Sequence, residues 1–245
     1  MRLDTFLHLN GQCESREKAK KAIAEKRVVI GETVMIKPSF EVDETVLVHI
    51  LPSEHNEYVG RGGNKLEAAL ASFGIDVAGL CAIDIGASTG GFTDCLLKNG
   101  ARKVYAIDAG HSQLHPDLKK DNRVISLEQT NAKILNSTMF GTDVIDIAVM
   151  DVSFISQTLL FDAVGTVLKS GGILVTLIKP QFEVGRANVG KNGIVKNERI
   201  RLLAVENVKK AAQEHGFQTV DVMDSPLLGG SGNKEYLAYF LLKNE

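Results

Sequence analysis

From residue 82 onward, short apolar runs alternate regularly with helical stretches, and this alternation limits the possible folds more than any other feature. Ala82 to Ile85, Val104 to Ile107, Ile145 to Met150 and Ile173 to Ile178 are nearly unbroken apolar segments. Helical stretches such as Gly91 to Asn99 and Gln157 to Leu168 separate them. Strands that are apolar on both faces and joined through helices imply a parallel sheet covered on both sides. A further helix is expected from Asn197 to about His215, with Ile200, Leu203, Val208 and Ala211 on its inner face. Thr219 to Met223 and Tyr236 to Leu242 flank Gly229-Gly-Ser-Gly-Asn233. They are expected to form an antiparallel edge on the otherwise parallel sheet.

The first fifty residues follow a different pattern. Leu3, Leu7 and Leu9 suggest a short amphipathic helix ending at Gly11. Ser15 is placed to cap a second helix running to about Lys26, with Ala19, Ala22 and Ile23 inward. Val28 to Ile30, Val34 to Ile36 and Val46 to Ile50 are β-branched runs separated by turn residues. This is a small α+β unit over 1–50, followed by a polar, proline-containing linker over 51–59. The α/β domain then occupies 60–245.

Composition narrows the function. With 44% hydrophobic and 24% charged residues the chain is an ordinary globular protein. Its longest apolar runs fall well short of the ~20 residues that span a bilayer. Asp4, His8 and Asn10 interrupt any signal-peptide core. Cys13, Cys81 and Cys95 have no metal-ligand spacing and are expected to be reduced thiols in a cytoplasmic protein. The six histidines, His111 and His115 among them, form no ligand set, so no metal is expected. Net charge is −2, yet Arg16, Lys18, Lys20, Lys21, Lys26 and Arg27 crowd one short stretch. Such a stripe can bind phosphate, although a solvated helix face is its commoner meaning.

Five short stretches carry chemistry: Asp84 to Gly91, Arg61-Gly-Gly-Asn-Lys65, Met150-Asp-Val-Ser-Phe154, Ile178-Lys-Pro-Gln181 and Lys234-Glu235-Tyr236. Asp84-Ile-Gly-Ala-Ser-Thr-Gly-Gly91 closes the first strand of the large domain and opens a helix. Glycines there let the backbone approach a cofactor at the carboxyl end of a sheet. The spacing G-x-x-x-G-G is not the dinucleotide fingerprint and suits a cofactor without pyrophosphate, S-adenosylmethionine. Asp108 ends the next strand, where a carboxylate accepts ribose hydroxyls; the same acid would serve a nicotinamide cofactor equally well. Asp151 and Lys179 follow two strands at the edge bordering the cofactor crevice, Lys65 precedes the first strand, and Glu235 stands before the last. As isolated residues these are equally compatible with structural ion pairs or surface charges.

As a set, Lys65, Asp151, Lys179 and Glu235 resemble the Lys-Asp-Lys-Glu tetrad of Rossmann-like 2′-O-ribose methyltransferases. The whole chain resembles the hemolysin-A-type (TlyA) rRNA methyltransferases. The resemblance lies in Arg61-Gly-Gly-Asn-Lys-Leu66, Asp84 to Gly91, Gln129-Thr-Asn131, Met150-Asp-Val-Ser-Phe-Ile155, Lys179-Pro-Gln-Phe-Glu183 and Gly229 to Glu235. The N-terminal unit resembles the small alpha-L, ribosomal-protein-type RNA-binding domain through Arg2-Leu-Asp4, Gly11, Ser15-Arg16, Ala19 and Lys37-Pro38. Where that domain often has Val-Asn-Gly, this chain has Val29-Ile-Gly31.

The resemblance implies an FtsJ-like α/β domain with a mostly parallel seven-stranded sheet, preceded by the RNA-binding unit. It implies Lys65, Asp151, Lys179 and Glu235 as catalytic groups. It implies S-adenosylmethionine held by Asp84, Gly86, Ser88, Thr89, Gly90, Asp108, Asn131 and Asp151. RNA contacts are expected at Arg2, Ser15, Arg16, Lys20 and Arg61, with ribosomal RNA or ribosomal subunits, at cytidines, as partner. Three other classes remain open at this point: a non-catalytic ribosome-assembly protein, a hemolysin, and a nicotinamide-dependent oxidoreductase. No membrane partner is expected, and a monomer is compatible with the sequence.

Overall fold

The computed structural model describes residues 1–13, 15–51 and 58–243. It divides into two compact units, Met1–Glu57 and Tyr58–Glu245. Most of the expected linker, residues 52–57, lies outside the described residues.

The first unit contains α1 (Leu3–Leu9), α2 (Arg16–Ala24), β1 (Val28–Ile30), β2 (Thr33–Val34) and β3 (Val48–Ile50). The strands form an antiparallel sheet in the order β2-β1-β3. Ser15 caps α2 by accepting from the Lys18 backbone N–H, satisfying a donor that the helix start leaves open. Leu3, Leu7, Ala19, Ala22 and Ile23 are buried, as their spacing predicts. Leu9 is 66% exposed, because the inner stripe of α1 is Leu3, Phe6 and Leu7 and residue 9 falls off that face. The expected strand at Val34 to Ile36 is cut to two residues, leaving Ile36 exposed.

The second unit runs α3 (Gly62–Phe73), β4 (Cys81–Ile85), α4 (Gly91–Lys98), β5 (Lys103–Ile107), α5 (Pro116–Lys120), β6 (Val124–Leu127), β7 (Ile145–Met150) and α6 (Phe161–Val167). It continues with β8 (Leu168–Ile178), α7 (Pro180–Glu183), α8 (Glu198–Glu214), β9 (Phe217–Asp224) and β10 (Tyr236–Leu242). The seven strands are ordered β6-β5-β4-β7-β8-β10-β9. Neighbours from β6 to β8 are parallel, and β10 is antiparallel to both β8 and β9. Strand residues alternate between two cores. Ile83, Tyr105, Ala148 and Met150 pack with residues of α6 and α8, while Ala82, Val104, Ile147 and Val149 pack with residues of α3 and α4.

Three details differ from expectation. The reversed strand is one in from the edge, and β9 takes the edge itself. The buried stripe of α8 is Ala204, Val205, Val208 and Ala212; Leu203 is 48% exposed. β6 was hidden by its short length and by Ser126, which interrupts an edge strand whose residues are at most half-buried.

The strand order matters for function. The chain builds outward from β4 through β5 to β6 and then crosses back to β7 on the other side of β4, and such a switch point opens a crevice at the carboxyl ends of the strands. Because β10 is reversed, its first residue lies beside the last residue of β8: Tyr236 pairs with Ile178.

Candidate active site

The turn after β4 bends sharply. Gly86 and Gly90 have φ of +83° and +95°, and Ser88, a non-glycine, has +50°. Gly86 and Ala87 donate backbone N–H groups to the Ile107 carbonyl at 2.8 and 3.0 Å. The glycines here serve protein packing before any ligand. A Cβ on Gly86 would lie 2.7 Å from the Asp151 carbonyl oxygen, one on Gly90 would strike Leu118, and one on Gly91 would come within 3.0 Å of the Gly63 nitrogen. The Arg61-Gly-Gly stretch thus packs directly against the glycine turn.

Asp108 holds this turn in shape. Its two oxygens accept from Ser88 N–H and Gly110 N–H, each at 2.7 Å, which offsets the unfavourable Ser88 backbone. Asn131 is exposed; its side chain accepts from Lys133 N–H. The segment leading to it is stitched to the same place, as Thr130 N–H donates to the Asp108 carbonyl at 2.9 Å. The Thr89 carbonyl accepts from His115 N–H at 3.1 Å, and its hydroxyl oxygen is 2.8 Å from where a Cβ on Gly60 would be.

Asp84 is completely buried at the base of the turn. Oδ2 accepts from the Thr93 hydroxyl at 2.6 Å, and Oδ1 has no partner. Burial pushes this carboxyl up to about 7; Thr93 opposes the shift, and Asp151 and Asp108 add to it. An orphaned buried acceptor needs a donor, and this one lies at the base of the glycine turn, so the residues fit a cofactor that carries a cationic amine.

The four residues of the expected tetrad come together as two ion pairs. Lys65, in the first turn of α3, and Glu235, just before β10, are 7% and 2% exposed, and Lys65 Nζ donates to Glu235 Oε2 at 2.5 Å. A Cβ on Gly229 would overlap Glu235 Oε1, so the glycine-rich loop makes room for this acid. Lys179, which precedes α7, lies 2.6 Å from Asp151 Oδ1 after β7. That oxygen lacks hydrogen-bond geometry to the lysine, and the directed hydrogen bond from Lys179 Nζ runs to Ser153 Oγ at 2.7 Å.

Two residues here lie in the Met150 to Ile155 motif but have no individual role assigned from the sequence. Ser153 is one. The other is Phe154, which is 93% exposed at φ +65°, with its ring 5.4 Å from that of Phe182. An aromatic in a serine-rich loop ordinarily reads as core, and its left-handed backbone has no local sequence signal. The loop is anchored by Glu183, whose Oε2 accepts from the Ser156 hydroxyl at 2.5 Å and whose Oε1 accepts from Gln157 N–H at 3.0 Å. Burial pushes Glu183 above the usual carboxylate range, against those hydrogen bonds.

The expected RNA-binding residues are placed less uniformly. In the first unit, Arg2 and Arg16 both pair with Asp4 at 3.0 Å; their side chains are half exposed and that of Asp4 is fully buried. Hydrogen bonding from Arg2 first, then Arg16, holds Asp4 well below the usual carboxylate range despite its burial. Lys20 pairs with Glu17 at 2.6 Å, and the Ser15 oxygen is engaged by the helix cap. Arg61 belongs to the second unit, where it donates to the Leu228 carbonyl at 2.9 Å and ties the start of α3 to the loop that carries Glu235. Among the described residues no cluster suits a metal ion, and no helix is long and apolar enough to cross a membrane.

Residues 58–241 match the FtsJ-like methyltransferase family, and residues 1–48 match the S4 domain. The chain is 43% identical over 242 residues to Hemolysin A of Brachyspira hyodysenteriae, covering 99% of this chain and 100% of that protein. It is 40% identical over 238 residues to the 16S/23S rRNA (cytidine-2′-O)-methyltransferase TlyA of Mycobacterium tuberculosis, covering 97% and 88% of the two chains. A solved Streptococcus thermophilus protein, provisionally described as a hemolysin, superposes with a TM-score of 0.77 at 41% identity, covering 99% and 88%. Matched by FtsJ-like methyltransferases over most of its length and by these relatives over nearly all of it, the chain belongs to the hemolysin A (TlyA) family.

Proposed function

We propose that this chain methylates the ribose 2′-hydroxyl of cytidine in ribosomal RNA, using S-adenosylmethionine. The observation that carries the reading is the convergence of the Lys65–Glu235 and Lys179–Asp151 pairs on the carboxyl edge of the sheet, where the glycine turn after β4 also lies. A structural role alone does not call for two lysines and two acids at those strand ends.

When bound, S-adenosylmethionine supplies an electrophilic methyl on a sulfonium. Asp84, with its orphaned oxygen, and Asp108 are the groups proposed to hold the amine and the ribose, with Gly86, Ser88, Thr89, Gly90, Asn131 and Asp151 lining the rest. The attacking ribose oxygen must stand opposite the departing sulfur, so positioning supplies much of the rate. Lys179 receives or polarises the 2′-hydroxyl proton as the oxygen–carbon bond forms. Asp151 orients Lys179, and the Lys65–Glu235 pair fixes the ribose. The exposed ring of Phe154 offers a flat apolar face for the target base.

In this reading residues 1–50 dock structured RNA through Arg2, Arg16 and Lys20, and residues 60–245 perform the chemistry. Arg61 shapes the active-site loop as well as facing the substrate. In this reading the protein acts as a monomer in the cytoplasm, where its ribosomal substrate is found.

The test is transfer of labelled methyl to purified ribosomal subunits lacking the modification, with Lys179→Ala as control. Label at ribose 2′-O positions, absent with the variant, supports the reading and identifies the subunit. A folded, cofactor-binding protein that labels neither subunit overturns it.

A further inference from the structure

We propose that Ser153 is a positioning residue for Lys179, fixing the direction from which the lysine nitrogen meets the ribose oxygen. The inference rests on the reading of Lys179 as the group that handles the ribose proton.

A lysine nitrogen has four tetrahedral directions. Cε occupies one, and the directed hydrogen bond to Ser153 Oγ at 2.7 Å takes a second. Asp151 Oδ1, 2.6 Å away, attracts the nitrogen by charge without fixing one of its directions. Without Ser153 the amine could turn about its Cε–Nζ bond, and the serine removes that freedom. The geometry also makes Ser153 the better anchor of the two, since the close Asp151 oxygen is off the hydrogen-bonding direction.

Ser153 is exposed, so packing does not account for a hydroxyl there. Its oxygen accepts from Lys179, and among the described residues no acceptor takes its own hydrogen.

The distance between Ser153 and Lys179 is set by a closed circuit of structure. Lys179 leads directly into α7, and Glu183 at the end of α7 grips Ser156 and Gln157. From there the chain runs back through left-handed Phe154 to Ser153, which meets Lys179 again. Gln157 is itself pinned, its side-chain oxygen accepting from the Thr176 hydroxyl of β8 at 2.5 Å. A serine held in this circuit beside the lysine nitrogen acts as a stop for it.

In the reaction the 2′-oxygen–methyl bond forms as the sulfur–methyl bond breaks and the sulfur leaves as a neutral thioether; the hydroxyl proton passes to Lys179 where that amine is neutral, and to solvent where the charged lysine polarises the hydroxyl. Ser153 neither gains nor loses a proton overall.

The experiment compares Ser153→Ala, Ser153→Thr and Lys179→Ala in the full-length protein. It reads steady-state methyl transfer to unmodified ribosomal subunits across pH, together with cofactor affinity and thermal melting. The expected result is a ten- to hundred-fold fall in kcat for Ser153→Ala, the scale of a small misplacement of a reacting group. KM for the subunit and cofactor affinity stay within a few-fold, the pH profile of kcat is displaced, and Ser153→Thr returns kcat to near wild type. Unchanged kcat in Ser153→Ala overturns the inference, as does a loss confined to KM or one tracking lost cofactor binding or melting. If Lys179→Ala keeps its activity, the underlying reading of Lys179 fails instead, whatever Ser153 does.

Discussion

Lys65 Nζ and Glu235 Oε2 lie 2.5 Å apart although 170 residues separate them in the chain. Their meeting depends on the reversed β10, which begins where β8 ends, and on α3, whose glycine-rich start packs closely against the glycine turn. A buried ion pair is a poor source of net stability, because removing two charges from water costs about as much as their attraction returns. Its retention in the core points to use.

Breaking the pair and replacing it should have different effects on stability and the same effect on activity. Lys65→Ala or Glu235→Ala, by leaving one charge buried without its partner, destabilises the protein by about 3–5 kcal/mol. The double variant Lys65→Met with Glu235→Leu recovers most of that stability but no methyl transfer. Denaturant unfolding and activity assays on the same four proteins check both parts. A double variant that regains activity would show the pair to be structural.

Asp84 predicts an unusual pH dependence. Its folded value is raised to about 7, whereas an unfolded aspartate titrates at about 4. Between those values the folded protein keeps a proton that the unfolded chain has released. Stability therefore falls as pH rises through that window. Thermal melts from pH 5 to pH 8 should show the decline, and Asp84→Asn should flatten it. Binding of a cationic cofactor should release a proton from Asp84, so affinity should climb as pH rises through about 7.

Phe154 predicts a separation of folding from substrate binding. Its ring is almost fully in water, so Phe154→Ala should leave the melting temperature nearly unchanged. If the ring stacks on the target base, its loss costs about 1–3 kcal/mol, or roughly ten- to hundred-fold in binding of the ribosomal subunit. Cofactor affinity should not move, and Phe154→Trp should retain activity. Equal losses of RNA and cofactor binding would refute the stacking role.

For the first unit, Arg16→Gln with Lys20→Gln should weaken RNA binding and reduce its salt dependence by about 0.7–0.9 for each phosphate no longer neutralised. Filter binding at several salt concentrations measures this, and cofactor affinity serves as the control. Asp4→Asn should act in the same direction, since Asp4 is the buried anchor that holds the Arg2 and Arg16 guanidinium groups in place.

Much of this protein is legible in its sequence because the signals are local. Apolar strands such as Ile145–Met150 announce a parallel sheet, Ser15 announces a helix start, and Asp84 to Gly91 announces a sharp turn at a strand end. The proposed tetrad is legible only through its resemblance to 2′-O-ribose methyltransferases, because a lysine and an aspartate after strands, like Lys179 and Asp151, are by themselves equally compatible with a structural ion pair. Tertiary structure decided everything that depends on two distant segments meeting. The pairing of Lys65 with Glu235 instead of another acid, the diversion of Arg61 to the Leu228 carbonyl, and the placement of β10 inside the sheet all join remote segments. So does the directed bond from Lys179 to Ser153, across the loop that Glu183 anchors. Periodicity and local backbone preference act over a few residues, and hydrogen-bond geometry is settled by atoms that come together after the chain has folded.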